Sequence, residues 1–341
     1  MTVRRTLHIL FFLAVAVSLY GAYTTLQPYK GYPTEVFVDI PRRSGSLEMA
    51  QRLAGGGVLQ TEWPFLMVRL LRPRSTLKAG EYHFDHPLSP VEVYHKIAAG
   101  DVFYHSLTVP EGYSMFEIAD AVARTGVLSR EEFLLAAQQG TRVADLVSGA
   151  RTLEGFLFPD TYRLTRHTTA DDLAGQMLKR FREVYADLRG AHPTSSDNIL
   201  ETVVLASLVE EETPQARERP QVASAFRNRL RIGMPLQCDP TVIYALQLLN
   251  RYRGELTKED LAVTSPYNTY VHPGLPPGPI ANPGRTSLEA AMAPAETDYL
   301  YFVADGKGGH VFSASLDRHS EAVASYRRAN ARRNAKKNAR R

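Results

Sequence analysis

One unbroken apolar run dominates the hydrophobic pattern, Leu7 to Leu26, with Arg4 and Arg5 ahead of it. Twenty residues make a helix of about 30 Å, the thickness of a bilayer core. The run is apolar on every face, so it predicts a membrane span rather than a helix with one buried side. Basic residues before a first span favour a cytoplasmic N-terminus with the remainder outside. A cleaved signal peptide is the competing reading. Against it, the run exceeds the usual apolar core of such peptides and lacks a clear A-x-A site, although Tyr20-Gly21-Ala22 leaves cleavage open. The expectation is an uncleaved signal anchor.

Beyond the anchor the apolar positions come in short alternating groups. Gln27 to Ser44 carries Pro28, Gly31, Pro33 and Pro41 and reads as an extended linker, with Val36 to Ile40 shaped like a strand. Ser46 is placed to cap a helix through Ala54, with Leu47, Ala50 and Leu53 on one side and Gly55-Gly56-Gly57 ending it. Glu62 to Leu71 predicts a helix, Glu81 to Phe84 a strand, and Ser89-Pro90 opens a helix that Gly100 closes. The stretch 46–59 is echoed at 114–128, one duplicated helix and turn. From His105 the pattern predicts a larger α+β region. It has a strand at Ser106 to Val109, a helix from Ser129 to Gln138 with Ser129 and Glu132 as a capping box, and a long helix from Thr169 to Leu188. A further helix, capped by Ser196 or Asp197, runs to Glu212, and another spans Gln221 to Arg231. Tyr267 to Pro283 holds too much Pro and Gly for a regular element. Tyr299 to Ala304 and His310 to Ser313 predict a hairpin, and a last helix begins near Leu316.

Composition narrows the class. With 44 % hydrophobic and 22 % charged residues in 341, the chain is an ordinary globular one with room for about two domains. Its single cysteine, Cys238, excludes an internal disulfide and thiolate metal clusters, and reads as a small buried residue. The net charge of +4 belongs to the end of the chain. Residues 327–341 hold eight Lys/Arg and no acid, which leaves the rest at −4. That tail reads as disordered or as a fraying helix, a solvated end or one adhering to anionic lipid heads or wall polymers.

The chemistry concentrates in Asn198 to Thr213, NILETVVLASLVEEET. At about 100° per residue, Ile199, Val203, Ala206 and Glu210 share one stripe, while Glu212 falls near Glu201 on a polar side and Glu211 lies between. Glu210 is therefore the glutamate that the helix turns inward. A desolvated carboxyl has a raised pKa and suits a general acid. Solvated glutamates at a helix end are the plain alternative. Two further clusters, Leu236 to Thr241 with Tyr244, and Ser265 to Tyr270 followed by Gly274 to Gly278, offer amides and tyrosines suited to binding sugars. Ordinary loop turns would read the same way. His83 and His86 are spaced like metal ligands but lack partners, and Asp305 to Gly309 is a turn between strands, not a phosphate cradle.

The runs ASLVEEET (206–213), NRLRIGMPLQCDPTVIY (228–244), SPYNTYVHPGLPPGPIANPG (265–284) and YLYFVADGKGGHVF (299–312) closely resemble the endolytic murein transglycosylases of the MltG (YceG-like) type, as do LEGFLFPDTY (153–162) and VPEGYS (109–114). The resemblance implies an α+β fold of several parts. These are a cytoplasmic N-terminus (1–6), a transmembrane anchor (7–26), a linker (27–44), a small LysM-like subdomain (45–104), a catalytic domain (105–326) and the basic tail (327–341). It implies a single-pass inner-membrane protein whose catalytic domain faces the wall. Its activity would be that of a lyase cutting inside peptidoglycan glycan strands to leave 1,6-anhydroMurNAc ends. The essential glutamate of the family pattern V-E-x-E-T would be Glu210, acting as acid and then as base, with Glu211 a third carboxylate crowding it. Glu212, Gln237, Asp239, Tyr267, Asn268 and Tyr270 would hold the sugars. A lone acid suffices for such chemistry because the substrate's own C6 hydroxyl attacks C1, whereas a hydrolase usually needs two carboxylates. No metal or cofactor is expected, and no nucleic acid. The expected partners are glycan strands, the membrane, and peptidoglycan synthases of the elongation or division machinery. The rival expectations are a hydrolase that uses Glu212 or Asp239 as second carboxylate, and a non-catalytic peptidoglycan-binding protein.

Overall fold

The computed structural model describes residues 2–193 and 198–338, which divide into two units. The first takes in Met1–His105 with Arg163–His167, and the second Ser106–Tyr162 with Thr168–Arg341.

The first unit opens with helix α1, Thr2–Leu26. It is long and apolar enough to cross a membrane, and its most apolar stretch is not buried. Strand β1 (Val36–Ile40) lies within the stretch expected as a linker. It is followed by α2 (Ser46–Gly55), α3 (Trp63–Leu71), β2 (Gly80–Phe84) and α4 (Pro90–Ala99). The two strands pair antiparallel, Val38 opposite Tyr82 and Ile40 opposite Gly80. Alternation turns Val38, Ile40, Tyr82 and Phe84 inward onto Leu53, Phe65, Tyr94 and Ile97. The Tyr82 hydroxyl donates to the carbonyls of Lys78 (2.8 Å) and Ile97 (3.2 Å), which satisfies its buried polar end. Helix α2 starts one residue earlier than expected: extended Gly45 is the N-cap, and Ser46 is the first helical residue.

The second unit contains β3 (His105–Thr108), α5 (Met115–Arg124), α6 (Arg130–Ala137), β4 (Thr161–Leu164) and α7 (Ala170–Ala191). Then come α8 (Ile199–Glu212), α9 (Arg219–Arg231), α10 (Asp239–Leu248) and α11 (Arg285–Met292). The hairpin β5 (Tyr301–Ala304) and β6 (His310–Ser313) and helix α12 (Leu316–Asn338) complete it. β3 pairs with β4. Ser114, Ser129 and Thr169 each cap a helix through a full capping box with Glu117, Glu132 and Asp172. The caps expected at Ser196 and Asp197 lie outside the described residues, and Asn198 Oδ1 accepts from the Glu201 amide instead (3.2 Å).

Two expectations change. Asp239 to Leu248 is a helix, α10, with Pro240 in its first turn, where a loop carrying amides was expected. Helix α8 has no polar side along its middle: every residue from Thr202 to Val209 is buried, because α9, α10 and α11 all pack around it. Ser207 is fully buried; its hydroxyl donates to the Val204 carbonyl and accepts from the Ile280 amide.

Gly155 shows how tightly α8 is enclosed. It has φ +84°, and a Cβ there would lie 2.7 Å from Val203 Cγ1 and closer still to Pro279. Gly155→Ala is expected to cost about 2–4 kcal/mol through backbone strain and overpacking. Denaturant unfolding of the purified protein measures this, and an unchanged midpoint would show that the loop yields freely.

Candidate active site

The last turn of α8 projects three adjacent glutamates into three environments. Glu210 turns inward, its side chain only 5 % exposed. One carboxylate oxygen accepts from Arg219 Nη2 at 2.6 Å and the other from the Gly284 amide at 2.9 Å. Arg219 is equally buried and reaches Glu111 (3.5 Å) and the Thr286 hydroxyl as well. Burial raises the Glu210 pKa, and the Gly284 N–H and the guanidinium draw it back down. Glu211 is exposed as a residue, yet its carboxyl stands near Glu117, Glu210 and Glu212. Local desolvation and those like charges lift it to about 7. Gly112 lies against it, because a Cβ there would sit 2.8 Å from its Oε1.

Glu212 is half-buried and its carboxyl meets the Cys238 thiol, which donates to it. Desolvation raises its pKa first, and nearby Asp239 adds to the rise. The thiol's hydrogen bond is the strongest pull back down, and His310 and Arg229 add to it from a distance. Among the described residues no cation pairs directly with Glu212. Arg229 is spent on the carbonyls of Leu300 (2.6 Å) and Leu236 (2.7 Å). Burial and the adjacent Glu212 push the Cys238 thiol well up, so it stays a protonated donor.

Around Glu212 gather three of the residues expected to hold sugars. Asp239 and Gln237 are exposed, and Gln237 sits in the left-handed region at φ +50°. Tyr270 donates its hydroxyl to Asp239 at 2.5 Å. This rim is pinned from below by Thr269, whose carbonyl accepts from the Gln237 amide (3.2 Å) and whose hydroxyl accepts from the Cys238 amide (3.0 Å). Asn268 is placed differently. It is fully buried, its amide donates to the carbonyls of Leu261 and Val263, and its Oδ1 accepts from the Tyr270 amide (2.9 Å), so it folds the loop rather than facing the site. Tyr267 also points elsewhere. It stacks near Tyr244 (ring centroids 5.0 Å) and lines a separate cavity of about 240 Å³ with Arg151, Glu154 and Pro279.

Three features had no sequence signal. Glu154, 1 % exposed, accepts from the Met115 amide (3.0 Å), from Asn282 Nδ2 (2.7 Å) and from the Tyr244 hydroxyl; burial holds it up at about 8 against these donors. Asn282 in turn donates to the Tyr113 carbonyl and accepts from the amides of Leu157 and Gly112. That lock sets the loop carrying Gly284. Finally, Glu218 (8 % exposed) holds His310 at 2.8 Å and ties the β5–β6 hairpin to the turn after α8. Among the described residues no cluster of three or more His, Cys, Asp or Glu is placed to hold a metal ion.

Residues 38–325 match the model of the YceG-like family. The chain belongs to that family. It is 33 % identical over 325 residues to the endolytic murein transglycosylase of Bacillus subtilis (strain 168), covering 90 % of this chain and 89 % of that protein. It is 31 % identical over 312 residues to the enzyme of the same name from Streptococcus pneumoniae serotype 2, covering 82 % of this chain and 56 % of that longer protein. A crystal structure of a yceG-like protein from Listeria monocytogenes is similar over 85 % of this chain and 99 % of that one, with a TM-score of 0.55 and 30 % identity.

In this YceG-like protein the Glu210–Arg219 pair is a structural bond as much as a chemical one. Removing one partner of a buried ion pair typically costs about 3–5 kcal/mol, because the other charge is stranded. Arg219→Gln is expected to lose that much stability near neutral pH. Without the guanidinium, the folded-state pKa of Glu210 rises further above its unfolded value. The deficit relative to wild type therefore grows as pH rises through the carboxylate range and shrinks at acidic pH. Unfolding curves at several pH values measure it; a deficit independent of pH would contradict the pairing.

Proposed function

We propose that the protein is a membrane-anchored endolytic lytic transglycosylase of peptidoglycan, cutting the MurNAc–GlcNAc bond within glycan strands and leaving 1,6-anhydroMurNAc ends. The activity that its relatives are named for supports the substrate class. The observation that carries the chemistry is the placement of Glu212: a desolvated carboxyl with no ion-pair partner among the described residues, beneath a rim formed by Gln237, Asp239 and Tyr270.

The family pattern gave the acid role to Glu210, and the geometry favours Glu212. Both oxygens of Glu210 already accept hydrogen bonds, one of them from a charged guanidinium, so a proton on it would displace a partner. Glu212 meets the Cys238 thiol and, among the described residues, no guanidinium; burial pushes its pKa up, the direction a general acid requires. Glu212 donates its proton to the glycosidic oxygen as the C1–O bond breaks. The C6 hydroxyl of the same muramic acid attacks C1, and the Glu212 carboxylate takes the hydroxyl proton. The acid is regenerated, the ring closes as the 1,6-anhydro sugar, and no water is consumed. In this reading Asp239 and Tyr270 face the positive charge that develops on C1, and Gln237 offers its amide to the sugar. Glu210, Arg219 and Gly284 hold the end of α8 in place beside them.

The anchor is α1, with the N-terminus cytoplasmic and both units on the wall side. The basic pair Arg4–Arg5 before the span supports that orientation. The strand–helix–helix–strand order β1–α2–α3–β2 supports a LysM-like subdomain that starts at Val36, ahead of the 45–104 bounds expected for it.

Glu212→Gln keeps the shape and removes the proton. Cleavage of purified glycan strands by this variant should fall about 10²–10⁴-fold or more, while strand binding survives. Glu210→Gln should retain more activity and lose more stability. A fully active Glu212→Gln would refute the assignment.

A further inference from the structure

Helix α3 is apolar on two sides. Phe65 and Val68 are buried in the core of the first unit at 0 % and 4 % exposure. On the other side Trp63, Met67, Leu70 and Leu71 are 72 %, 46 %, 72 % and 76 % exposed. At about 100° per residue these four fall within an arc of roughly 100°, a continuous stripe. Leu47 on the neighbouring α2 adds to it at 56 %. A soluble surface seldom gathers so many large side chains in one place.

Position says what covers the stripe. Helix α1 ends at Leu26, and the Tyr29 amide already donates to the Leu88 carbonyl at 3.1 Å. Only Gln27 and Pro28 intervene, a reach of about 10 Å at most. The first unit is thus held at the end of the apolar helix and cannot swing away from it. Moreover, α3 packs directly against α1. Exposed Arg72 and Arg74 follow the stripe, as anionic headgroups would require. A tryptophan with its indole N–H among leucines is the composition of a membrane-interface contact.

We propose that α3 docks on the bilayer that α1 spans, with Trp63, Met67, Leu70 and Leu71 seated at the boundary between headgroups and acyl chains. This rests on α1 being a membrane span. Trp63 is the single tryptophan of the chain, so its fluorescence reports on this one place. The full-length protein is reconstituted in vesicles of phosphatidylcholine and phosphatidylglycerol, and flotation with the vesicles is measured first. Then Trp63 emission is recorded with acyl chains brominated at defined depths, and with iodide in the aqueous phase.

The expected result is flotation, a blue-shifted emission and protection from iodide. Quenching should be strongest with bromines about 5–10 Å below the headgroups. Leu70→Asp/Leu71→Asp should return Trp63 to iodide. Protein that does not float overturns the span and the docking together. Protein that floats with Trp63 open to iodide overturns the docking alone. Protection without bromine quenching, accompanied by a dimer in detergent, assigns the stripe to a second copy and overturns it. So does protection that appears only on adding glycan strands.

Discussion

Helix α8 is enclosed along its middle and must still end in three glutamates. That constraint organises the second unit. Carboxylates at a helix C-terminus oppose the helix dipole, and a buried end leaves them little water. Arg219 from α9 and the Gly284 amide neutralise Glu210 from one direction. Glu211 is left among like charges with its carboxyl partly desolvated. Glu212 has a thiol for a neighbour; burial pushes its carboxyl up and the thiol's hydrogen bond draws it back.

The walls follow from the same enclosure. Gly284 reaches Glu210 because Asn282 is fixed on every side, and Asn282 is fixed because Glu154 accepts its amide. Glu154 also accepts from Met115 at the start of α5 and from Tyr244 on α10. One buried carboxyl thus joins the loop behind Glu210 to the helix whose first residue, Asp239, stands at the rim near Glu212. Thr269 repeats the device on a smaller scale by holding the Gln237–Cys238 turn. The candidate site groups are placed on helix ends, and the loops between them are locked by buried polar atoms rather than by packing alone.

Local signals were legible in the sequence. The Ser129–Glu132 cap, the hairpin about Asp305 to Gly309 and the inward turn of Glu210 all depend on residues a few positions apart, where spacing alone carries the information. What spacing does not carry was missed. The polar side expected for α8 is covered by helices that begin between residues 219 and 285, far along the chain. Asp239-Pro240 signals a helix start as readily as a turn, and the turn reading hid α10. Glu154 and Asn282 meet across 128 positions, and nothing near either predicts the other. The choice between Glu210 and Glu212 needed Arg219 and Cys238 in place, since both glutamates lie on one helix turn and differ only in what faces them.

The most direct test is the chemistry of the cut ends. The full-length protein in lipid is incubated with purified glycan strands, and the fragments are weighed by mass spectrometry. Intramolecular attack by the C6 hydroxyl predicts fragments ending in 1,6-anhydroMurNAc, one water lighter than hydrolysis products. Reducing ends at the cut would contradict the account and require a second carboxylate to activate water.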